Sequence, residues 1–195
     1  GSPISHSLSP TLHRAAYASL GLDWSYDAFD VTAEQLPAFV DSLDDSWVGL
    51  SLTMPLKESI IPLLATIDPV AAQVGAVNTA LRTPQGWSGA NTDIDGIVEA
   101  LRRAGVGATC SSATILGAGA TARSAVAALH RLGIRVLTVG ARRPKAARAV
   151  ADLAESWGMA ARAVDLEPAV AMLAVDVVVS CLPGDAAKPW APLAP

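Results

Sequence analysis

Long apolar runs and blocks of basic residues are both missing from the 195-residue sequence. Apolar runs such as Val177–Val179 suit a strand, whereas a membrane-spanning helix needs about 20 apolar residues. No cluster of lysines and arginines is present, and the formal net charge is −4. Since nucleic-acid binding depends on a concentrated positive surface, we expect neither a membrane nor a nucleic acid as a partner.

Cysteine is scarce too. Cys110 and Cys181 are the two cysteines, and their spacing is not that of a C-x-x-C pair. We therefore predict a reduced, cytoplasmic location, with both thiols buried as small apolar side chains. No charged-then-apolar leader opens the sequence, and Gly1-Ser2-Pro3 is typical of the middle of a loop. We expect both ends of the sequence to be cut points.

The order of predicted elements indicates an α/β fold. In the second half, short apolar strands alternate with alanine-rich helices. Strands are expected at 113–116, 135–140, 161–164 and 176–181, with helices at 120–132 and 144–157. This alternation predicts a parallel, Rossmann-like sheet covered on both faces. The Pro-rich stretch 186–192 is expected not to form a helix.

The first half alternates as well. The expected elements are a helix from the N-cap Ser9 to Gly21, a strand at 24–31, a helix opened by the capping box Thr32-x-x-Gln35 and ending near Leu43, a strand at 47–53, a helix from Pro55, strands at 76–82 and 87–90, and a helix from Asp93 to near Gly105. We predict two α/β domains, residues 1–95 and 96–195. The hinge is placed in the helix after Asp93, with the ligand cleft between the domains.

The most informative segment is the strand, turn and helix around Gly117. The strand runs into Gly117-x-Gly119-x-x-Ala122, the pattern of a dinucleotide-binding turn. The first glycine allows the tight turn, the second lets the backbone approach a pyrophosphate, and the small third residue lets the helix pack closely. We predict cofactor contacts from Gly117, Ala118, Gly119, Ala120, Thr121 and Ala122. A tight turn without a ligand is the alternative.

The end of the next strand indicates which dinucleotide binds. NAD-binding folds place a carboxylate there, about 20 residues after the turn, to bind the ribose 2′-hydroxyl. Here the strand ends in Ala141-Arg142-Arg143-Pro144-Lys145, which has no carboxylate. Guanidinium groups pair with phosphate in a bidentate manner, so Arg142 and Arg143 predict NADP. The alternative is a solvated basic helix start.

Several polar residues of the first half also stand where chemistry is expected. Thr53-x-x-x-Lys57 places a hydroxyl at a strand end and an amine one helical turn further on. Because the carboxyl ends of strands line the ligand crevice of open α/β folds, we hypothesise that Lys57 and Asp93 form an acid–base pair. Each residue also has a simpler explanation: Lys57 as a solvated charge, Asp93 and Ser9 as helix N-caps, and Asn78 or Asn91 as turn formers.

These segments together resemble the shikimate dehydrogenases. The matching stretches are Gly1–Pro10 with the family's G-x-P-x-x-H-S-x-S-P, Leu50–Lys57 with N-V-T-x-P-x-K apart from the leading Asn, Gly75–Thr79 with G-A-V-N-T, Asn91–Asp93 with N-T-D, and Gly117–Ala122 with the G-A-G-G-A turn. The resemblance is carried by several distinct motifs in the right order and covers nearly the whole sequence.

The resemblance implies a two-domain enzyme that reversibly reduces 3-dehydroshikimate to shikimate with NADP, a step of aromatic amino-acid synthesis. It implies that Lys57 is the catalytic acid/base and Asp93 its partner. It also implies that Ser7 and Ser9 bind the substrate carboxylate, and that Thr53, Asn78 and Asp93 bind ring hydroxyls. Asn91 is a further candidate in the same segment. His6 and His13 receive no role and are expected to be structural or solvent-facing, and no metal is expected.

The sequence departs from the family pattern in three places. The family's first strand would precede Gly1, and its C-terminal helices, which bring a glutamine to the site, would follow the last residue. The family's Asn-Arg-Thr is Ala141-Arg142-Arg143 here. Alternative functions are a quinate/shikimate dehydrogenase of broader specificity and a silent dinucleotide-binding regulator, although a regulator has no need of Lys57 with Asp93. The expected partner is a small-molecule substrate, and both monomer and homodimer remain open.

Overall fold

The computed structural model describes residues 1–167 and 170–193. They divide into two compact units. The first unit contains Gly1–Ile67 and Val77–Gly89, and the second contains Asp68–Ala76 and the chain from Ala90 onward. Each unit holds its own sheet, one mixed and one parallel, so the predicted α/β class with a parallel sheet is confirmed. The predicted functional division at residue 95 stays a prediction.

The first unit is built on a mixed four-stranded sheet in the order β1-β3-β4-β2. Its elements are α1 (Ser9–Leu20), α2 (Leu36–Asp41), β1 (Gly49–Ser51), α3 (Leu56–Ser59), a 3-10 turn (Ile61–Leu63), β2 (Thr66–Ile67), β3 (Thr79–Thr83) and β4 (Gly86–Ala90), of which Ala90 already belongs to the second unit. β1 runs antiparallel to β3, and β2 runs parallel to β4. The buried apolar residues include Leu36, Leu52, Leu56, Ile60, Val77 and Trp87.

The strand predicted at 24–31 is wrong, because these residues form no ladder with a neighbouring strand. Ring contacts hold the segment instead. The rings of His13 and Tyr26 stack at 4.2 Å, and Phe29 lies 5.4 Å from Phe39 and 5.5 Å from Trp47. Aromatic and β-branched residues favour a strand only where a partner strand supplies the hydrogen bonds.

The ends of α1 and α2 agree only in part with the capping residues that the sequence predicts. The reciprocal hydrogen bonds of the predicted capping box form, with Thr32 N–H donating to Gln35 Oε1 at 3.0 Å and Gln35 N–H donating to Thr32 Oγ1 at 3.4 Å. The predicted helix start at Thr32 is wrong, however, because α2 begins at Leu36 with Gln35 as its N-cap. Gly21 ends α1 as predicted. Ser9, however, is the first residue of α1 and not its N-cap, so that prediction is wrong. The Ser7 hydroxyl does part of this work, because it accepts the Ser9 N–H at 3.3 Å.

The second unit begins with a helix that the sequence interpretation missed. α4 (Pro69–Val74) starts at Asp68, whose carboxylate accepts the N–H groups of Val70 and Ala71 at 2.9 and 3.1 Å. It ends at Gly75, whose φ of +62° is the left-handed conformation that favours glycine. Both signals were present in the sequence, within a segment too short for a clear helical period.

The second unit is built on a four-stranded parallel sheet in the order β7-β6-β5-β8. Its further elements are α5 (Asp93–Arg103), β5 (Ser112–Leu116), α6 (Ala120–Arg131), β6 (Val136–Ala141), α7 (Pro144–Ser156), β7 (Ala160–Asp165), α8 (Val170–Leu173), β8 (Val177–Ser180) and a 3-10 helix (Gly184–Leu193). The register pairs Ile115 with Val139 on one side and with Val179 on the other. The four predicted strands and two predicted helices are confirmed, with no end shifted by more than one residue.

The core of the second unit lies between the sheet and its helices. It includes Ile115, Val126, Leu129, Ile134, Leu137, Val139, Val150 and Met159, each at most 3% exposed. Within the described residues neither Cys110 nor Cys181 is part of a disulfide, and both pack against this core. Both are only half-buried, so the prediction of full burial is wrong. Each stands at the margin of the sheet, in a loop or at a strand end, where neighbours cover one side of the thiol.

The 3-10 helix over Gly184–Leu193 contradicts the expectation of a non-helical Pro-rich end. Pro189 and Pro192 lie inside it. The fixed φ of proline, about −65°, lies within the range of a 3-10 helix, so the two prolines are compatible with it. Across residues 1–167 and 170–193, the structure contains no helix with the length and apolar character that a membrane crossing requires.

Candidate functional site

The glycine-rich turn joins β5 to α6, as predicted. Gly117 has a φ of +111°, and its N–H donates to Gly140 O at 2.8 Å. A Cβ atom at Gly117 would lie 3.0 Å from Cys181 O and 3.2 Å from Cys181 C, and both are backbone atoms. Both the conformation and the contact therefore require glycine here.

The rest of the turn is open. A Cβ atom at Gly119 would meet no heavy atom within 4 Å, and the Gly119 φ is an ordinary −98°. Gly119 is the N-cap of α6 and offers no side-chain cap, so the first turn of the helix presents its N–H groups to an anion. Ala122 is fully buried against the sheet, as close packing requires, whereas Thr121 is exposed and Ala118 and Ala120 are half-buried.

The basic strand end is exposed. Arg142 and Arg143 follow β6, and Pro144 opens α7 directly after them. Among the described residues, no carboxylate lies within ion-pair distance of either guanidinium. By contrast, Arg148, which lies within α7, is paired with Asp152 at 2.6 Å. The pair of arginines is thus available to an external anion.

A shallow hollow beside these arginines was missed by the sequence interpretation. It has a volume of about 190 Å³ and is lined by Pro144, Ala147, Ala163, Val164 and Asp165. These residues come from the start of α7 and the carboxyl end of β7. The small residues at the start of α7 and at the end of β7 are the sequence feature that could have indicated this hollow.

In the first unit, backbone hydrogen bonds join the segments that carry the predicted substrate residues. Leu52 N–H donates to Asn78 O at 2.7 Å, and Val77 N–H donates to Lys57 O at 2.8 Å. Ser2 N–H donates to Met54 O at 3.0 Å, which brings the opening segment beside Thr53. The structure therefore brings the backbones of Thr53, Lys57 and Asn78 together at the end of β1 and the start of β3.

The side chains of this group differ in exposure. Lys57 and Asn78 are half-buried, and Thr53 is exposed. Asn78 Oδ1 accepts the hydroxyl of Thr79 at 2.9 Å. Ser7 and Ser9 are half-buried at the start of α1. His13 is structural as expected, since its Nδ1 lies 3.0 Å from Ser9 O, and His6 is exposed.

Asp93 opens α5 and is half-buried. It belongs to the second unit, whereas Lys57 belongs to the first. The acid–base pair of Lys57 and Asp93 stays a prediction. Asp93 is also not an N-cap, because that position is taken by Thr92.

Asn91 is a buried hydrogen-bond donor, a role that the sequence did not indicate. It is 8% exposed, and its Nδ2 donates to Ala76 O and to Ser124 Oγ, both at 2.9 Å. Its Oδ1 is buried and accepts no hydrogen bond from any described residue. An unpartnered buried acceptor costs about 1–3 kcal/mol, so Asn91 is not a simple turn former.

A second hollow lies away from these residues. Its volume is about 220 Å³, and it is lined by Val70, Gln73, Ala127, His130, Arg131 and Trp157. It lies at the carboxyl end of α6, whereas the glycine-rich turn lies at the amino end of the same helix. Within the described ranges, no three His, Cys, Asp or Glu side chains gather as metal ligands would.

Comparison with known proteins identifies the family. Residues 1–80 match the family model described as the shikimate dehydrogenase substrate binding domain. A shikimate dehydrogenase (NADP(+)) from Synechococcus sp. is 42% identical over 159 residues, which are 80% of this chain and 53% of that protein. The crystal structure of Mycobacterium tuberculosis shikimate dehydrogenase superposes with a TM-score of 0.86 at 41% identity, covering 98% of this chain and 71% of that one.

The chain belongs to the shikimate dehydrogenase family. Another shikimate dehydrogenase, from Thermus thermophilus, was crystallised with NADP(H) and shikimate. It matches 93% of this chain and 66% of its own length, with a TM-score of 0.80 and 35% identity. The chain spans about half the length of the curated shikimate dehydrogenases that it matches.

Proposed function

We propose that the protein is an NADP-dependent shikimate dehydrogenase that reversibly reduces 3-dehydroshikimate to shikimate in aromatic amino-acid synthesis. The observation that carries the proposal is the grouping of Thr53, Lys57 and Asn78 at one strand end of a chain that belongs to this family. The relative from Thermus thermophilus binds shikimate and NADP(H) together, which supports the same pair of ligands here.

The substrate residues are assigned by their chemistry. Ser7 and Ser9 offer hydroxyl donors to the substrate carboxylate, and the half-buried Asn78 offers an amide to a ring hydroxyl. Thr53 and Asp93 are proposed to bind ring hydroxyls as well. Hydroxyl and amide side chains suit a polyhydroxylated ring, because each ring hydroxyl needs a hydrogen-bond partner when it leaves water. An apolar pocket would supply no such partners.

Lys57 is proposed as the acid and base of the reaction. In the direction of reduction, the bound cofactor would supply a hydride to the carbonyl carbon of the substrate. The Lys57 ammonium donates a proton to the carbonyl oxygen, which becomes the hydroxyl, and Lys57 then regains a proton from solvent. In the direction of oxidation, the neutral amine takes the hydroxyl proton. Asp93 is proposed to orient the amine.

The residues of the second unit fit NADP. The space over Gly119 would be filled by a Cβ atom, and the N–H groups at the start of α6 suit a pyrophosphate. Arg142 and Arg143 are exposed and suit the 2′-phosphate, because guanidinium groups bind phosphate with two parallel hydrogen bonds. The hollow beside Pro144 offers the small residues Ala147 and Ala163 to the adenosine next to that phosphate, and Asp165 is also part of its lining.

An absorbance assay of reduced nicotinamide tests the proposal on the full-length protein, with shikimate or quinate and with NADP or NAD. We expect oxidation of shikimate with NADP. Comparable turnover of quinate would indicate the broader quinate/shikimate enzyme. Nucleotide binding without turnover of either compound would contradict the enzyme and favour a silent regulator.

A cytoplasmic location is also proposed, since Cys110 and Cys181 form no disulfide within the described residues, which suits a reducing compartment. We propose a monomer or a homodimer, and light scattering of the purified protein distinguishes the two.

A further inference from the structure

Two adjacent polar residues interrupt the apolar face of α6. Ser124 is fully buried, and the residues that surround it in the helix, Ala122 and Ala125 to Leu129, are buried apolar residues. The Ser124 hydroxyl accepts from Asn91 Nδ2 at 2.9 Å and donates to Ala120 O at 3.3 Å. It therefore links Asn91 to the first residue of α6.

The second polar residue binds the same neighbourhood. Arg123 Nε donates to Val74 O at 2.6 Å, and its Nη2 donates to Gly75 O at 3.0 Å. Asn91 Nδ2 donates to the next carbonyl, Ala76 O, at 2.9 Å. Three successive carbonyls at the end of α4 are thus held by side chains from α6 and from the segment before α5.

The two hydrogen bonds of Asn91 are buried, whereas those of Arg123 are partly exposed to solvent. Val74, Ala76, Ile94, Ala127 and Ala128 form one buried cluster, each at most 1% exposed. A hydrogen bond in such surroundings is stronger than one in water, and its polar atoms have no solvent to replace a lost partner. The spacing between the start of α5 and the start of α6 is therefore fixed by these bonds.

The Asn91–Ser124 hydrogen bond lies close in sequence both to Asp93 and to the glycine-rich turn. Asn91 stands two residues before Asp93, and Ser124 stands one turn after the glycine-rich turn. We propose that Asn91 and Ser124 are positioning residues, which hold Asp93 at a fixed place relative to the dinucleotide-binding turn. This inference rests on the proposed function, because it takes Asp93 as the partner of the catalytic lysine.

A role in stability alone explains Asn91 poorly. Its Oδ1 is buried and accepts no hydrogen bond from the described residues, although buried polar atoms are generally paired. Local departures from good packing chemistry are expected where a residue serves a functional geometry.

The test compares Ser124→Ala with Thr114→Val. Thr114 lies in β5 of the same unit and also carries a fully buried hydroxyl, which has no described partner. We expect Ser124→Ala to lower kcat roughly 10- to 100-fold, since small misplacements of a catalytic group have effects of this size. The KM for NADP should change less than about threefold, and Thr114→Val should retain kcat. Asn91→Ala removes the other half of the same bond and should repeat the loss.

A double-mutant cycle with Asp93→Asn shows whether Ser124 acts through Asp93. In the Asp93→Asn background, Ser124→Ala should have little further effect on kcat. An equal loss in both backgrounds would overturn the proposal. So would a lowered Tm with an unchanged kcat, because that is the result of a purely structural bond.

Amide hydrogen exchange tests the positioning without turnover. Exchange at residues 92–96 should be faster in Ser124→Ala than in Thr114→Val, and equal exchange would contradict the proposal. This measurement keeps its meaning even if the wild-type protein oxidises no shikimate. Absent shikimate oxidation would refute the proposed function, whereas the exchange comparison decides on the positioning of Asp93.

Discussion

Gly117 and Gly119 of the glycine-rich turn should respond differently to substitution by alanine. Gly117 has a φ of +111°, and a Cβ atom there would approach the Cys181 carbonyl oxygen to 3.0 Å. Gly119 has a φ of −98°, and a Cβ atom there would meet nothing within 4 Å. The first substitution perturbs the folded chain, and the second perturbs mainly the space above the turn.

The size of the Gly117→Ala effect follows from two costs. A non-glycine residue in a sparsely populated backbone region costs about 1–3 kcal/mol, and overpacking against backbone adds about 1–3 kcal/mol. The free energy of unfolding should fall by about 2–6 kcal/mol, and Tm by at least about 4 °C. Gly119→Ala should lower the free energy of unfolding by at most about 1 kcal/mol, because alanine is a poorer helix N-cap than glycine.

For NADP affinity we expect the larger effect from Gly119→Ala and not from Gly117→Ala. Gly119→Ala places a methyl group where the pyrophosphate is proposed to lie, so its Kd for NADP should rise about tenfold, a loss of about 1.4 kcal/mol. Thermal unfolding and calorimetric titration with NADP measure the two effects on the same samples. Unchanged NADP affinity in Gly119→Ala would refute the assignment of this turn to the cofactor. An unchanged Tm in Gly117→Ala would refute the argument from backbone strain.

Three further predictions concern other residues. Lys57→Ala should lower kcat about 10²–10⁴-fold with little change in KM, whereas the exposed-lysine control Lys188→Ala should retain wild-type kinetics; a loss confined to KM would make Lys57 a binding residue. Arg142→Asp should reverse or abolish the preference for NADP over NAD, measured as the ratio of kcat/KM values, and an unchanged ratio would contradict the 2′-phosphate assignment. Hydrogen bonds from the backbone N–H groups of Ser111 and Ser112 lower the pKa of Asp176. Because a depressed carboxyl pKa stabilises the fold above the unfolded pKa near 3.8, Asp176→Asn should lower Tm at neutral pH, and the difference from wild type should shrink as pH falls below 4; a constant difference would contradict it.

Local signals in the sequence were sufficient where structure depends on neighbours along the chain. The capping box at Thr32, the helix stop at Gly21 and the turn at Gly117 each depend on residues within a few positions. The parallel sheet followed from the alternation of strands and helices, because a parallel pair needs a crossover between its strands.

The remaining features depend on contacts between distant residues. The segment at 24–31 has strand-like composition but no ladder, and composition does not show whether a partner strand is present. Asn91 is buried because Ser124, 33 residues further on, meets its amide. At the start of α1, the Ser7 hydroxyl accepts the Ser9 N–H, although the sequence predicts Ser9 as the N-cap. The course of the preceding loop brings Ser7 into this position. Packing, and not residue type, decides each of these outcomes.

The strand order β7-β6-β5-β8 leaves the carboxyl end of β5 open, which bears on the effect of substitutions in the surrounding loops. β5 pairs with β6 on one side and with β8 on the other, so the chain leaves β5 in one direction and later returns beside it from the opposite direction. Right-handed crossovers then run over opposite faces of the sheet, and neither covers the carboxyl end of β5. The opening at this topological switch point is a property of the connectivity. If this opening holds the proposed nucleotide, loop substitutions are expected to change which nucleotide is preferred while the sheet and its core remain unchanged.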